Sequence, residues 1–170
     1  VDNGIASLEG VRLARANNID VIVTDHHLPG EILPDANFII NPNQPDCNFL
    51  SKNLCGVGVI FYLLLSLRII FRERDKYSKK MEPKLHDLLD LVCLGTIADL
   101  VTLDFNNRIL VEHGMRKIRN HNCNHGIRAI AQLSKKSLIN LKTSDLSFAI
   151  APKLNAAGRL DDMSIGIKCL

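Results

Sequence analysis

Val21-Ile22-Val23-Thr24-Asp25-His26-His27 is the stretch on which the fold turns. Three β-branched residues and a threonine in succession read as a short strand buried on both faces, as in parallel sheets. The polar triplet follows at once. It therefore stands at the carboxyl end of the strand, where parallel α/β sheets place their ligand crevice. Upstream, Ile5, Leu8, Val11 and Ala14 recur at helical spacing, and Asn17-Asn18 breaks the pattern. Downstream, Phe38-Ile39-Ile40 reads as a second strand, ended by Asn41-Pro42. A helix followed by short buried strands predicts βαβ units and a parallel sheet flanked by helices. Asp2 is then expected just past the end of an earlier strand.

Beyond the Pro/Asn loop from Asn41 to Asn53 the pattern becomes helical. Helices are expected from Gly56 to about Arg72, and over Leu85–Leu94, Arg108–Ile118, Ile127–Leu133 and Leu146–Ile150. Between Arg72 and Lys84 lies a charged connection with a basic run, Lys76, Lys79, Lys80 and Lys84. The expected fold class is α/β: an α/β part over residues 1–45, then a mainly helical layer over 54–170 covering the same site.

With 170 residues, 46% hydrophobic and 23% charged, the chain has one domain's worth of core and is neither disordered nor a coiled coil. Aromatic residues make up 5% and Trp is absent, which leaves few rings for base stacking. The net charge of +3 is compatible with a nucleic-acid partner without requiring one. Five cysteines with no C-x-x-C pair argue against a disulfide framework or a structural zinc site, and for reduced thiols in the cytoplasm. His121, Cys123 and His125 alternate in an Asn-rich loop and read as surface. The longest apolar run, Val57 to Leu67, is too short for a membrane span. Val1 opens the chain and Cys169-Leu170 ends it inside an apolar pattern, so a piece of a longer protein is expected.

Asp25, His26 and His27 place one carboxylate and two imidazoles together. That mixed oxygen and nitrogen set suits a divalent cation, manganese above others. Asp2-Asn3-Gly4 sets a second carboxylate before a glycine that permits close backbone approach. Asp99 is the acid of the apolar stretch Val92 to Val101, where a buried carboxylate must be paired, protonated or bound to a cation. Arg159 stands among small residues in Asn155-Ala156-Ala157-Gly158-Arg159-Leu160-Asp161-Asp162, and its planar fork matches phosphate oxygens. Gly56-Val57-Gly58 lacks a third glycine and reads as close packing ahead of a phosphate cradle.

Six segments taken in order resemble the DHH phosphoesterase superfamily: Val1-Asp2-Asn3-Gly4, Val23 to Gly30, Ile40-Asn41-Pro42-Asn43, Gly56 to Val59, Gly95 to Asp99, and Leu154 to Asp162. Within it the last segment is similar to the single-strand DNA exonuclease branch. The resemblance implies two divalent cations, manganese favoured and magnesium possible, with Asp2 bridging them and His26 and Asp99 ligating one. It implies that His27 faces the substrate phosphate, that Asp25 orients the histidine pair, and that Arg159 binds the phosphate. The implied reaction is stepwise 5′→3′ hydrolysis of single-stranded DNA by a two-metal mechanism, in DNA repair and recombination. Thr102 departs from the pattern after the Asp99 segment, and the upstream aspartates that complete the metal site are absent. These 170 residues alone are therefore expected to be inactive. Two other functions remain open: a phosphodiesterase for short oligoribonucleotides or cyclic dinucleotides, and a non-catalytic DNA-binding relative.

Overall fold

The strand read at Val21 to Thr24 forms over Ile22–Thr24 (β1) and pairs in parallel with Phe38–Ile40 (β2). The register is Ile22 to Phe38, Val23 to Ile39 and Thr24 to Ile40. The computed structural model describes residues 1–76, 82–160 and 164–170, and the chain divides into two units, Val1–Glu82 and Pro83–Leu170. Of the basic run, Lys79 and Lys80 lie outside the described residues, as do Asp161 and Asp162 of the last motif.

In the first unit a 3-10 turn, Gly4–Ala6, leads into the helix Leu8–Ala16 (α1), and the long apolar run forms Gly56–Glu73 (α2). The buried apolar side chains of this unit include Ile5, Val11, Val23, Leu54, Cys55, Val59 and Phe61. Two features depart from the sequence reading. β1 is not buried along its whole length: Val23 and Thr24 are 3% and 7% exposed on opposite faces, but Ile22 is 58% exposed, and so is its register partner Phe38 at 67%. Successive strand residues face opposite ways, and only Val23's face meets the Gly4 turn. A Cβ on Gly4 would lie 3.0 Å from Val23 Cγ1, so glycine sets that approach. The second departure is the connection from β1 to β2, residues 25–37, which is a loop where a βαβ unit calls for a helix. Pro29 and Pro34 explain it: each lacks an N–H and disfavours helical backbone in the residue before it.

The second unit is helical. A 3-10 turn at Leu85–Leu88 precedes Leu89–Ala98 (α3), followed by Phe105–Arg119 (α4), His125–Leu133 (α5) and Thr143–Asp145 (α6). A π-turn over Leu146–Ile150 leads on to Ala151–Leu160 (α7) and Ser164–Cys169 (α8). Side-chain caps fix two of the starts: Asp104 accepts from the Asn107 N–H at 2.9 Å, and Asn124 from the Gly126 N–H at 2.7 Å. Cys93, Leu94 and Ile97 of α3 pack with Val111, Met115 and Ile118 of α4 and Ile127, Ile130 and Ala131 of α5 in one core. The cysteines of the chain are all free thiols. Burial, and then the neighbouring Asp90 carboxylate, push the Cys93 thiol up to about 12. A thiolate is the reactive form, so at pH 8 iodoacetamide is expected to modify exposed Cys169 rapidly and Cys93 only on unfolding. Mass-spectrometric mapping of the labelled peptides checks this; early labelling of Cys93 would contradict the packing.

Candidate metal centre

The peptide joining Thr24 to Asp25 is the pivot of the site. It is trans and planar, so its two polar groups point opposite ways. Its N–H donates to the Ile40 carbonyl at 3.0 Å, fastening it to β2, and its carbonyl accepts from the Asp2 N–H at 2.9 Å. Asp2 is thereby held on the other side of β1 from β2. Asp2 and Asn3 both adopt left-handed backbone, φ 55° and 71°, a region that Asp and Asn enter more readily than most residues.

That turn aims backbone donors at Asp25, which is fully buried. One carboxylate oxygen accepts from the Ile5 N–H at 2.8 Å. The other accepts from the His26 N–H at 2.7 Å, the His27 N–H at 3.1 Å and His27 Nδ1 at 2.7 Å. The Asn3 N–H adds a further bond. Burial pushes the Asp25 carboxyl up, but the Ile5 N–H, the His27 ring and the His27 and Asn3 backbone together outweigh it and hold the group well below the usual carboxylate range. A buried anion with this many donors is a clamp. It ties the Asp2 turn to the two histidines.

The side chains so placed converge. His26 Nε2 lies 3.3 Å and His27 Nδ1 3.8 Å from Asp2 Oδ1, and the two imidazole rings stand 4.3 Å apart at 49°. One ligating atom from each of Asp2, Asp25, His26 and His27 falls within 4.8 Å of all the others. Neighbouring ligands of one ion with bonds of about 2.1 Å stand roughly 3 Å apart, and the Asp2–His26 pair matches that spacing. The donor set therefore fits a divalent cation, which Asp2 and His26 could hold. Asp25 does not serve as one, because its oxygens are taken up by N–H donors. It fixes His27 instead: Nδ1 faces Asp25, which leaves Nε2 as the outward nitrogen of a half-exposed ring. The N-terminus of α2 also reaches this point, since a Cβ on Gly56 would stand 3.4 Å from Asp2 Oδ1 and 3.8 Å from the His26 ring.

Asp99 belongs to the second unit, at the C-cap of α3, and is exposed. The expectation that it is a buried acid is thus corrected: the buried carboxylate of that helix is Asp90, 2% exposed, which accepts from the Asn124 N–H at 2.5 Å and the Leu91 N–H at 2.9 Å. Leu100, with φ 57°, ends the helix in left-handed backbone one residue past Asp99. Arg159 falls within α7, and its side chain lies outside the described residues. Two residues escaped the sequence reading as contributors to the site, Asn41 and Asn43; the available signal was a pair of amides directly after a strand.

Residues 1–96 match the DHH family, N-terminal domain. The chain is 55% identical over 172 aligned positions to the single-stranded-DNA-specific exonuclease RecJ of Escherichia coli strain K12, and 36% identical over 170 to that of Bacillus subtilis strain 168. All of this chain is covered, but only 30% and 20% of those relatives, so it spans less than a third of their length. A crystal structure of exonuclease RecJ bound to manganese superposes with a TM-score of 0.78 at 33% identity, covering 99% of this chain and 40% of that one. RecJ from Thermus thermophilus in complex with Mn2+ gives the same TM-score and identity, covering 24% of that chain. With the family match running through both strands, the clamp on Asp25 and the helix that abuts the site, the chain belongs to the DHH family.

Proposed function

We propose that this chain is part of the catalytic domain of a 5′→3′ exonuclease that hydrolyses single-stranded DNA to nucleoside 5′-monophosphates with two divalent cations, manganese favoured and magnesium usable. The observation that carries the reading is the convergence of Asp2, His26 and His27 around the buried Asp25 clamp. The identity to exonucleases RecJ across the whole chain supports the same substrate. Asp2 and His26 hold a cation, Asp99 supplies a further ligand, and Arg159 grips the substrate phosphate through its fork. Bound cations supply an activated water and stabilise the charge that develops on the phosphoryl oxygens. Asp25 keeps the His27 Nδ1 proton in place, so that Nε2 is presented to a phosphate oxygen as hydrogen-bond partner. The enzyme acts in DNA repair and recombination in the cytoplasm, where its thiols stay reduced. No helix among the described residues is long and apolar enough to cross a membrane.

The test uses the full-length protein with 5′-phosphorylated single-stranded DNA and manganese. Mononucleotides are expected, chelator is expected to stop their release, and His26→Ala to lower the rate at least 100-fold, the scale on which removing a single catalytic group acts. Short oligoribonucleotides and cyclic dinucleotides run alongside. Hydrolysis of those with no attack on DNA would sink the exonuclease reading, and an unimpaired His26→Ala would sink the metal centre.

A further inference from the structure

The histidine pair is held from a second side. β2 runs directly into Asn41-Pro42-Asn43. Asn43 Nδ2 donates to the His26 carbonyl at 2.6 Å and to the Lys52 carbonyl at 3.2 Å. Asn41, 3% exposed, donates from Nδ2 to the His27 carbonyl at 2.9 Å, and its Oδ1 accepts from the Asn43 N–H at 2.8 Å. The corner is itself braced. Lys52 Nζ donates to the Pro42 carbonyl at 2.6 Å and the Cys47 carbonyl at 2.5 Å, and Gln44 Nε2 to the Ile39 and Asn41 carbonyls at 2.9 and 3.2 Å.

Each histidine is thus gripped at both ends of its backbone: Asp25 takes the two N–H groups, and the asparagines take the two carbonyls. Fixing both peptide groups around a residue fixes the direction of its Cα–Cβ bond, and with it where the ring can reach. We infer that Asn43 and Asn41 are positioning residues of the metal centre, setting the direction of the His26 and His27 imidazoles through their carbonyls without touching a ligating atom. The inference rests on the metal reading given above. The chemistry demands an amide: the acceptors are carbonyls, so Asn43 must donate. A carboxylate of equal size would set oxygen against oxygen.

The experiment compares wild type, Asn43→Ala, Asn43→Asp and Asn37→Ala in the full-length protein. Asn37 is the control. It accepts from the Val21 N–H at 2.7 Å and donates to Asp20 at 2.8 Å, bracing the other end of the same strand pair. Affinity for Mn2+ alone is read by electron paramagnetic resonance, thermal stability by circular dichroism, and kcat and KM on 5′-phosphorylated single-stranded DNA. Asn43→Ala is expected to weaken Mn2+ binding by about 10-fold, at the lower end of what outer partners of metal ligands contribute. Asn43→Asp is expected to be weaker still, and kcat to fall in both with KM little changed. Asn37→Ala is expected to melt lower at wild-type affinity. Should Asn43→Ala not fold, Asn43→Ser, which keeps a shorter donor, is expected to show the same loss. Asn43 variants that bind Mn2+ like wild type overturn the inference, as does an Asn37→Ala that loses affinity equally. A wild-type protein that binds no Mn2+ overturns the metal reading itself, and is told apart by that first measurement.

Discussion

Asp25→Ala is expected to remove Mn2+ binding and to destabilise the protein by about 3–5 kcal/mol, the range for breaking a buried charged partnership from one side. The reason is the number of donors that converge on one carboxylate. The N–H groups of Ile5, His26 and His27, the Asn3 N–H and the His27 ring all end on Asp25, and the buried Ile5 N–H in particular would be left without an acceptor if it were removed. Each stranded donor costs roughly 1–3 kcal/mol before relaxation. Asp25→Asn is the sharper variant, since an amide keeps the size but turns one oxygen into a further donor facing donors. It is expected to lose nearly as much. Urea unfolding at pH 7 with and without Mn2+ measures both effects, and the pH dependence gives an independent check. The folded-state pKa of Asp25 is depressed. Its contribution is therefore complete above the unfolded value of about 3.9 and disappears as the pH falls from there toward the folded value. Wild type and Asp25→Asn should consequently differ most near neutrality and converge in strong acid. A constant difference down to the lowest pH would mean that the charge on Asp25 does not carry the clamp.

Much of this site was legible in the sequence because its chemistry follows a strand. Val21 to Thr24 announces β1 by β-branching, and the next three residues must then stand at the carboxyl end of the sheet. The long run after Gly56 announces α2 in the same way, and the capped α4 and α5 lie close to their expected spans. Legibility fails where partners are distant in sequence. Asn-Pro-Asn reads as turn punctuation, and nothing in its periodicity reveals a bond to His26 spanning 17 residues. It also fails on which acid of an apolar stretch is buried. Asp90, Cys93 and Ile97 share one face of α3 at helical spacing and go inward, whereas Asp99 lies past the last turn and goes outward. The helix Ala151–Leu160 escapes the sequence reading because Pro152, Asn155 and Gly158 are poor helix formers. Proline is tolerated in a first turn, though, and the preceding π-turn delivers the chain into it.

Gly114 is the position where one methyl group is expected to do the most harm in the helical unit. It lies in the middle of α4, and α3 passes against it. A Cβ built there would stand 2.3 Å from Cys93 Cβ and 2.3 Å from the Leu89 carbonyl oxygen. Neither obstacle can yield cheaply, since one is a backbone atom of α3 and the other the root of a side chain that is fully buried. Two opposing effects set the sign. Alanine is the better helix former by about 1 kcal/mol, which alone would stabilise. Forcing two packed helices apart by roughly an ångström or more exceeds the 1–3 kcal/mol typical of overpacking, and the clash prevails. The expected net loss is about 3 kcal/mol, or a fall in Tm of roughly 6–12 °C for a chain of this size. Gly10→Ala is the internal comparison. It is the same substitution on the exposed face of α1, where a Cβ meets nothing nearer than Ser7 Cβ at 4.0 Å. That variant is expected to gain about 0.5–1 kcal/mol, with Tm moving upward. Thermal melts of the two variants beside wild type decide the matter. If Gly114→Ala melted at or above the wild-type temperature, α3 and α4 could not pack at so close an approach.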